Sequence, residues 1–480
     1  MSILDNIRNS MRTWLGVHDP DHDEFLERQE EIALKRDYRL GEQRKTLKTR
    51  YGQPDDNITT NFIRLIIDRS VSGLFGKGIT FQLPGGITET KDKKGNKVKK
   101  ISPEQEYLDK VWDLNKQEIL LHKTSLLASE SGTGYIKIQP DGVFDKDDKT
   151  YPRLIPLDPL YMTLDTTPHD IDTVIRYIIR YNYMGADGKP VGFKEVTEKN
   201  DNNQWEVATF EDHGPGWVET SRELWEYEWP PIIHWQNLPL AGSPYGESDI
   251  PEDIVTLQDR LNFINSNNTK IIRYHASPKT YGLNVTMPTV EDEDGARKKK
   301  KDNTWNPDQM VMFNSSDPNA KVQNLEMQSD LASSRAIYTD NRQALFDITR
   351  TVDIDSVADK LGALTNFGLK VLYNDFLNKI DTKRELYGDA LIELNSRLLE
   401  MNGMEPDGGE IIWPDVLPVN GKEQSEELQL DLGMGIIDVQ SAAEEKGRDW
   451  ETIQTRKAEN ETQTMDLGTA ILNKFNQGKQ

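Results

Sequence analysis

One short acidic segment has the sequence Asp353-Ile354-Asp355-Ser356-Val357-Ala358-Asp359-Lys360, and a long amphipathic stretch, Gly362 to Asn402, follows it. Before it, the stretch from Ser329 to Arg350 predicts another helix, since apolar residues recur every seven positions. These residues are Leu331, Tyr338 and Leu345. Two helices therefore meet across a loop that is too polar to be core, and a loop of this kind usually faces water or a ligand.

A second apolar seam is predicted further upstream, in a helix that starts near Asp249. Asp249 can act as N-cap, Glu252 lies three residues later, and Pro251 is tolerated in the first turn. The seam residues are Ile254, Leu257, Leu261, Ile264 and Ile271. Their spacing is typical of helix-against-helix packing, and Asn268, a polar residue in the seam, can fix the register.

Strand patterns occupy the middle of the chain. Between Gly134 and Asn237, short alternating segments separated by Pro and Gly turns predict a β-rich domain, with a hairpin at Asp187-Gly188. The Lys-rich run from Lys91 to Lys100 favours a solvated hairpin tip over a nucleic-acid patch. The charged stretch from Asp23 to Lys48 favours helix.

Residues 278–326 contain strand-like pieces around a segment that switches from Glu291-Asp292-Glu293-Asp294 to basic residues. The basic residues are Arg297, Lys298, Lys299, Lys300 and Lys301. Such an abrupt change of charge predicts an exposed loop.

Composition limits the function classes. The chain has 480 residues, 35% of them hydrophobic, and its mean hydropathy of -0.71 is low for a compact monomer, so much surface is polar or shared with neighbours. A net charge of -23 argues against ordinary nucleic-acid binding, which needs excess Lys and Arg. The absence of cysteine excludes disulfides, thiolate zinc sites and cysteine nucleophiles. With no apolar run of roughly 20 residues and no signal-peptide pattern, we expect a soluble protein made in the cytoplasm.

Motifs for catalysis or metal binding are weak. The stretch from Gly73 to Gly78 lacks the glycine spacing and the Ser or Thr of a phosphate loop. A calcium loop around Glu291 would place Val290 and Lys301 at ligand positions that need acidic residues. The His and Asp residues between 18 and 23 lie in a polar segment with nothing to make a metal site rigid. We expect no catalytic residue, no metal and no cofactor.

The order of several soft patterns resembles the portal proteins, or head-to-tail connectors, of tailed double-stranded-DNA bacteriophages of the siphophage type. The resemblance covers most of the chain. It rests on residues 61–77, 234–262, 363–365, 412–418 and 435–444.

The resemblance implies an α+β portal fold with an α/β wing, a helical stem, a small mixed clip, a long helix crossing the wing and a helical crown. It implies a homo-oligomeric ring, commonly of twelve subunits, at one capsid vertex of the virion, assembled in the host cytoplasm. Its partners would be the major capsid protein and scaffold, the terminase large subunit, the head-tail adaptor protein and double-stranded DNA, which passes without sequence specificity. From the resemblance we expect a protein without membrane contact and without enzymatic activity.

The resemblance also assigns parts of the chain to portal domains. In chain order these are N-terminal helices and wing (1–235), first stem helix region (236–276), clip (277–326), second stem helix (327–351), tunnel loop (352–361), long helix and wing return (362–422) and crown with a polar tail (423–480).

The assignment places the acidic segment in the DNA channel, with Asp353, Asp355, Ser356, Asp359 and Lys360 as candidate lining residues. An acidic lining repels phosphates and keeps the polymer centred, whereas tight contacts would slow its transit. Alternatively, Asp353 and Asp355 cap the next helix. The basic run from Arg297 to Lys301 falls in the clip, where it contacts a partner or DNA, or is a solvated loop.

Two other functions are compatible with the sequence. One is a monomeric phage scaffold or adaptor that binds partners through residues 278–326. The other is a metal-dependent phosphodiesterase with clustered carboxylates, which only the abundance of Asp and Glu supports.

Overall fold

The computed structural model describes residues 20–48, 55–91, 97–186, 188–214, 216–276, 280–284, 289–291, 297–299, 315–324, 331–354, 366–417 and 421–446, with 450, 453, 454 and 456. The chain divides into two compact units. The larger unit comprises residues 1–357 and 373–414, and the smaller comprises 358–372 and 415–480.

The described helices are distributed over both units. In chain order they are α1 (Pro20–Leu40), α2 (Phe62–Phe75), α3 (Pro103–Leu114), α4 (Gln117–Ser131), α5 (Glu252–Ala276), α6 (Leu331–Ile348), α7 (Asn366–Leu372), α8 (Asn374–Met401), α9 (Gly421–Met434) and α10 (Val439–Glu445). Helices α7, α9 and α10 belong to the smaller unit. A short 3-10 helix, Pro159–Tyr161, precedes the sixth strand.

The described strands all lie in the larger unit. They are β1 (Thr80–Gln82), β2 (Ile87–Lys91), β3 (Lys97–Ile101), β4 (Thr133–Phe144), β5 (Thr150–Pro156), β6 (Met162–Thr167), β7 (Asp170–Met184), β8 (Pro190–Lys199), β9 (Trp205–Asp212), β10 (Trp217–Leu224), β11 (Ile232–Gln236), β12 (Thr280–Leu283), β13 (Thr289–Glu291), β14 (Arg297–Lys299), β15 (Lys321–Asn324) and β16 (Glu410–Ile412). The chain is thus a mixed α+β protein, as the sequence predicts.

Two antiparallel sheets dominate the β-rich region. One has five strands in the order β10-β9-β8-β7-β6, and the other has three in the order β11-β4-β5. The prediction of strands between Gly134 and Asn237 is confirmed. Strands β7 and β8 form the predicted hairpin, with Met184 opposite Pro190 and Gly188 at a φ of +76°, where glycine is favoured. Strands β2 and β3 pair antiparallel on either side of residues 92–96.

Helix boundaries follow local capping rules. Asn61 caps α2, since its side chain accepts a hydrogen bond from the backbone amide of Arg64. The charged stretch from Asp23 to Lys48 is not helical throughout, because α1 ends at Leu40. Gly41 takes a φ of +90°, and the amide of Glu42 donates to the carbonyl of Asp37, which is the bond that closes a helix with a left-handed glycine.

The long stretch from Gly362 to Asn402 is not one continuous helix. Tyr373 forms a turn between α7 and α8, and the amide of Leu377 donates to its carbonyl to start α8. Gly388 lies inside α8 without interrupting it. The 28 residues of α8 bury a stripe that packs against α2, α3 and β11 in the larger unit.

One hydrophobic core joins α1, α2, α5 and α6 of the larger unit. It includes Tyr38 of α1, Ile67 of α2, Ile254 and Leu261 of α5, and Leu345 of α6. A second cluster lies between the two sheets and contains Tyr135, Met162, Tyr177, Trp205 and Ile232. The first core therefore fixes one end of the α5/α6 helix pair to the body of the unit.

Candidate channel-lining site

Helices α5 and α6 pack against each other, and the sequence-predicted seam residues lie along this pair. Ile254, Leu261 and Leu345 are fully buried in the first core, and Leu257 and Tyr338 pack partly buried against it. Ile264 is also buried. Ile271 is half-buried, whereas Leu331 is exposed. The seam is therefore closed at one end of the pair and open at the other.

Asn268, the polar seam residue, lies where α5 meets α6. The hydroxyl of Ser334 donates to its Oδ1 over 2.7 Å. Because a hydrogen bond between two side chains is satisfied only when both helices have one alignment, this contact selects a register for the pair.

A polar row on another face of α5 was not found from the sequence. Gln258, Asn262 and Ser266 accept hydrogen bonds from the backbone amides of Phe62, Thr60 and Ile58, over 3.2, 3.0 and 2.9 Å. These three residues are almost fully buried. Their spacing of four positions places them on one helix face and could have indicated this contact. They hold the extended segment before α2 against α5.

The end of α6 leads directly into the acidic segment. The amide of Thr351 donates to the carbonyl of Phe346 over 2.9 Å, and Arg350 takes a φ of +54°. This pattern terminates a helix, but a residue with a side chain at that position carries conformational strain. Thr349 and Thr351 are buried, so the chain leaves α6 along a defined path.

Three cations from three helices bind this path. Lys379 of α8 donates to the carbonyl of Thr349 over 3.2 Å. Arg69 of α2 donates to the carbonyl of Val352 over 2.6 Å. Arg342 of α6 forms an ion pair with Asp353, with 2.7 Å between Nη2 and Oδ1. None of these contacts has a signal in the sequence: Arg69 and Lys379 lie far along the chain from their partners, and Arg342 and Asp353, eleven positions apart, are separated by the end of α6.

The structure describes only part of the candidate channel segment. Asp353 is mostly buried in its ion pair with Arg342. Ile354 is helical and exposed. Asp355, Ser356, Asp359 and Lys360 lie outside the described residues, so their proximity to one another remains a prediction.

The basic run of the candidate clip lies partly in a strand. Arg297, Lys298 and Lys299 form β14, which pairs antiparallel with β13, so the expectation of a loop is wrong for these three residues. The register places Glu291 opposite Arg297. Lys300 and Lys301 lie outside the described residues. Strands β12 and β15 form a second ribbon in the same region.

A buried ionic cluster sits directly before α5, where the sequence predicts a helix cap. Asp249 does not cap α5, which begins at Glu252. Instead, its carboxylate oxygens lie 2.9 Å from Nζ of Lys379 and 2.6 Å from Nζ of Lys383. Lys383 also donates to the hydroxyl of Ser70 over 2.8 Å. The N-cap prediction is wrong because two lysines of α8, more than a hundred residues away, bind this carboxylate.

Burial and charge act in opposite directions on this cluster. Burial alone would raise the pKa of Asp249, but the charges of Lys379 and Lys383 hold that pKa below its usual range. Burial lowers the pKa of Lys383 to about 8 although Asp249 lies opposite it. The cluster joins α2, α8 and the residue stretch before α5 through charges that water does not reach.

The part of the chain that the structure describes has no group of three or more His, Cys, Asp or Glu side chains arranged to hold a metal ion. Among the same residues, no helix has the length and apolar character needed to cross a membrane.

The described residues thus form an α+β unit in which α5 and α6 pack as a pair and three cations bind the chain where it leaves α6. The phage portal protein family, SPP1 Gp6-like, matches residues 18–463. The chain belongs to that family. It is therefore a non-enzymatic phage portal protein, and membership implies a DNA channel at the capsid vertex. No match was found among curated protein sequences.

Proposed function

We propose that twelve copies of this protein form a ring at one vertex of the phage capsid, in the virion and in the assembling head. The stem of each subunit is the α5/α6 pair, and the DNA passes along the ring axis without sequence-specific contacts. The exposed apolar residues at the open end of the pair support this proposal. Ile272 is 55% exposed and Ile337 is 50% exposed, which leaves apolar surface that a neighbouring subunit would cover.

The acidic segment lines the channel in this proposal. Asp355 and Asp359 would repeat around the ring, and their field would repel phosphates and keep the DNA centred. Ser356 and Lys360 would give weak, transient contacts. Asp353 adds less to that field, because the guanidinium of Arg342 compensates its charge.

The region between α5 and α6 forms the clip, which binds the terminase large subunit during packaging and the head-tail adaptor protein afterwards. The two short ribbons β12–β15 and β13–β14 support this assignment, since both are formed by the chain between the two stem helices. Arg297, Lys298 and Lys299 on β14, with Lys300 and Lys301 after it, would present positive charge to an acidic partner surface. The wing, built from the two larger sheets, would contact the major capsid protein and scaffold.

Electron microscopy of the purified protein, with native mass measurement on the same sample, tests the ring. We expect rings with an open axial channel and a mass of about twelve subunits. Monomers that persist at high concentration, with and without scaffold protein, would contradict the proposal and favour a monomeric scaffold or adaptor.

The channel role of the acidic segment has its own test. Rings with Asp355→Lys and Asp359→Lys should assemble normally but package DNA more slowly, because two rings of positive charge would hold phosphates. Rings with Asp355→Asn and Asp359→Asn are the matched control for size without added positive charge. Unchanged packaging by the lysine rings would remove the proposed role of the segment.

A further inference from the structure

Residues 349–354, which lead from the end of α6 into the channel segment, are held more tightly than a surface loop needs to be. Their two threonines are buried, and three cations donate to their carbonyl and carboxylate oxygens. Hydrogen bonds from charged donors are about twice as strong as neutral ones. The cations come from α2, α6 and α8, so these residues are tied to three helices at once.

The ring of Phe346 organises two of these cations. Arg69 and Arg342 lie 5.8 and 5.7 Å from its centroid, and Arg342 also lies 5.4 Å from the centroid of Phe62. Phe62 and Phe346 pack edge to face, with 5.7 Å between centroids. An arginine stacked on an aromatic ring loses little further freedom when it binds an anion, because its guanidinium plane is already oriented.

We propose that Arg69 and Arg342 are positioning residues that set the direction in which the channel segment leaves α6. We call these two arginines and Asp353, the anion that Arg342 binds, the clamp. Asp353 is then not a DNA-facing charge. This inference rests on the proposed channel role of the segment. The clamp itself lies within one subunit, so it can be tested whether or not rings form.

The strained backbone of Arg350 explains why the end of α6 needs to be held. A residue with a side chain at a φ of +54° stores strain that a longer α6 would relieve, since the helix could then continue through Arg350. The contacts of Val352 and Asp353 exist only when α6 ends where it does. Without the clamp, the competing longer helix would redirect residues 351–354.

A spin label at Ile354 reports on the clamp directly. The chain contains no cysteine, so Ile354→Cys creates a single labelling site, and the side chain of Ile354 is 39% exposed. The label should be immobile in the parent protein. Arg342→Gln and Asp353→Asn should each raise the mobile fraction roughly tenfold, the ratio expected when one charge-assisted hydrogen bond is lost.

The combined variants test whether Arg342 and Asp353 act through their ion pair or independently of each other. Arg342→Gln with Asp353→Asn should raise the mobile fraction no further than either single change, because both remove the same ion pair. The exchanged pair, Arg342→Asp with Asp353→Arg, should return the label to the immobile state. Arg335→Gln, at an exposed arginine of the same helix, is the matched control and should leave the spectrum as in the parent.

Packaging by assembled rings separates this inference from the proposed channel. If Asp353 faced DNA, the exchanged pair would place a ring of arginines in the channel and slow packaging even with an immobile label. The clamp predicts packaging close to that of the parent for the exchanged pair. An immobile label in Arg342→Gln, or mobile labels in the exchanged pair, would overturn the clamp, whereas a failure to form rings would overturn only the proposed function.

Discussion

The two ends of the α5/α6 helix pair differ in how completely one chain covers them. At the body end, defined as residues 252–264 of α5 and 341–348 of α6, Ile254, Leu261 and Leu345 are fully buried against α1 and α2. The body end does expose Phe263 and Ile348, but these are not seam residues. At the open end, residues 265–276 and 331–340, the seam residue Leu331 is itself exposed, together with Ile272 and Ile337. The same heptad-like pattern runs through both ends. Periodicity therefore predicts where a helix needs a partner, but not whether its own chain supplies that partner.

The two ends also differ in how deeply their ion pairs are buried. The body end terminates in the buried cluster of Asp249, Lys379 and Lys383, which links α8 to the start of α5. At the open end, Arg273 forms an ion pair with Asp56 but keeps about a third of its side chain exposed. The contact between the two helices there is neutral, from Ser334 to Asn268. Loss of one member of a buried ionic cluster leaves an unpaired charge, so the body end should be the more sensitive to substitution.

The largest effect is expected from Asp249→Asn. This change leaves two buried lysines without their anion and should lower the free energy of unfolding by about 3–5 kcal/mol. Urea unfolding followed by tryptophan fluorescence measures it. Glu252→Gln, at an exposed acid of the first turn of α5, is the control and should change stability by less than about 0.5 kcal/mol. Equal losses in the two variants would mean that the buried cluster has no special role.

A cavity at the body end should have the next largest effect. Leu261→Ala removes a fully buried side chain and should cost about 3 kcal/mol in the same unfolding measurement. Ile272→Ala should leave the isolated subunit within about 0.5 kcal/mol of the parent but reduce the yield of rings, because its partner would be another subunit. If Ile272→Ala destabilised the monomer as much as Leu261→Ala, the open end would already be covered within one chain.

Lowering the pH should reduce the free energy of unfolding of the larger unit, because burial keeps its His234, on β11, in the neutral form. Burial, with a further contribution from the charge of Arg397, lowers the pKa of this imidazole to about 4, and the Tyr177 hydroxyl lies 3.0 Å from Nδ1. The unfolded chain binds the proton near pH 6.5, so stability is complete above that pH and falls as the pH drops towards 4.

The loss from His234 should reach about 2 kcal/mol at pH 5. Urea unfolding between pH 7 and about pH 4 measures it, and His234→Gln should flatten this part of the pH profile. His122→Gln, at an exposed histidine of α4, should leave the profile unchanged. A profile that His234→Gln leaves as steep as the parent's would assign the acid sensitivity to other groups.

The smallest effect is expected at the open end. Ser334→Ala removes the hydrogen bond to Asn268 and should cost about 1 kcal/mol. Gln343→Ala, at an exposed position of α6, provides the control. If the loss matched that of Asp249→Asn, the comparison between the two ends would fail.

Several elements were predictable because their causes are local. The strands between Gly134 and Asn237 alternate in hydrophobicity, and the β7–β8 hairpin needs a glycine at its turn. Helix α6 follows its seven-residue pattern to within two residues at each end. The end of α1 was missed although Gly41 carries a recognisable signal for it.

The candidate site was less predictable. An acidic segment after a helix is visible in the sequence, but the partners of its first residues are not. Arg69 and Lys379 reach it from helices that lie far away along the chain. Asp249 looked like a helix cap because caps are read from neighbouring residues, and its lysine partners are on α8.

By itself, the sequence determined the α+β character, the helix pair, the seam residues and the resemblance to portal proteins, since hydrophobic period, turn residues and motif order are properties of neighbouring positions. Only the tertiary structure decided which end of the pair is closed, that Asp353 is bound by Arg342, and that Asp249 is buried between two lysines. The Asp249 contacts join residues more than a hundred positions apart, and the Arg342–Asp353 pair, only eleven positions apart, requires the chain to turn at Arg350 between them. Burial makes each such contact strong enough to override the local preference.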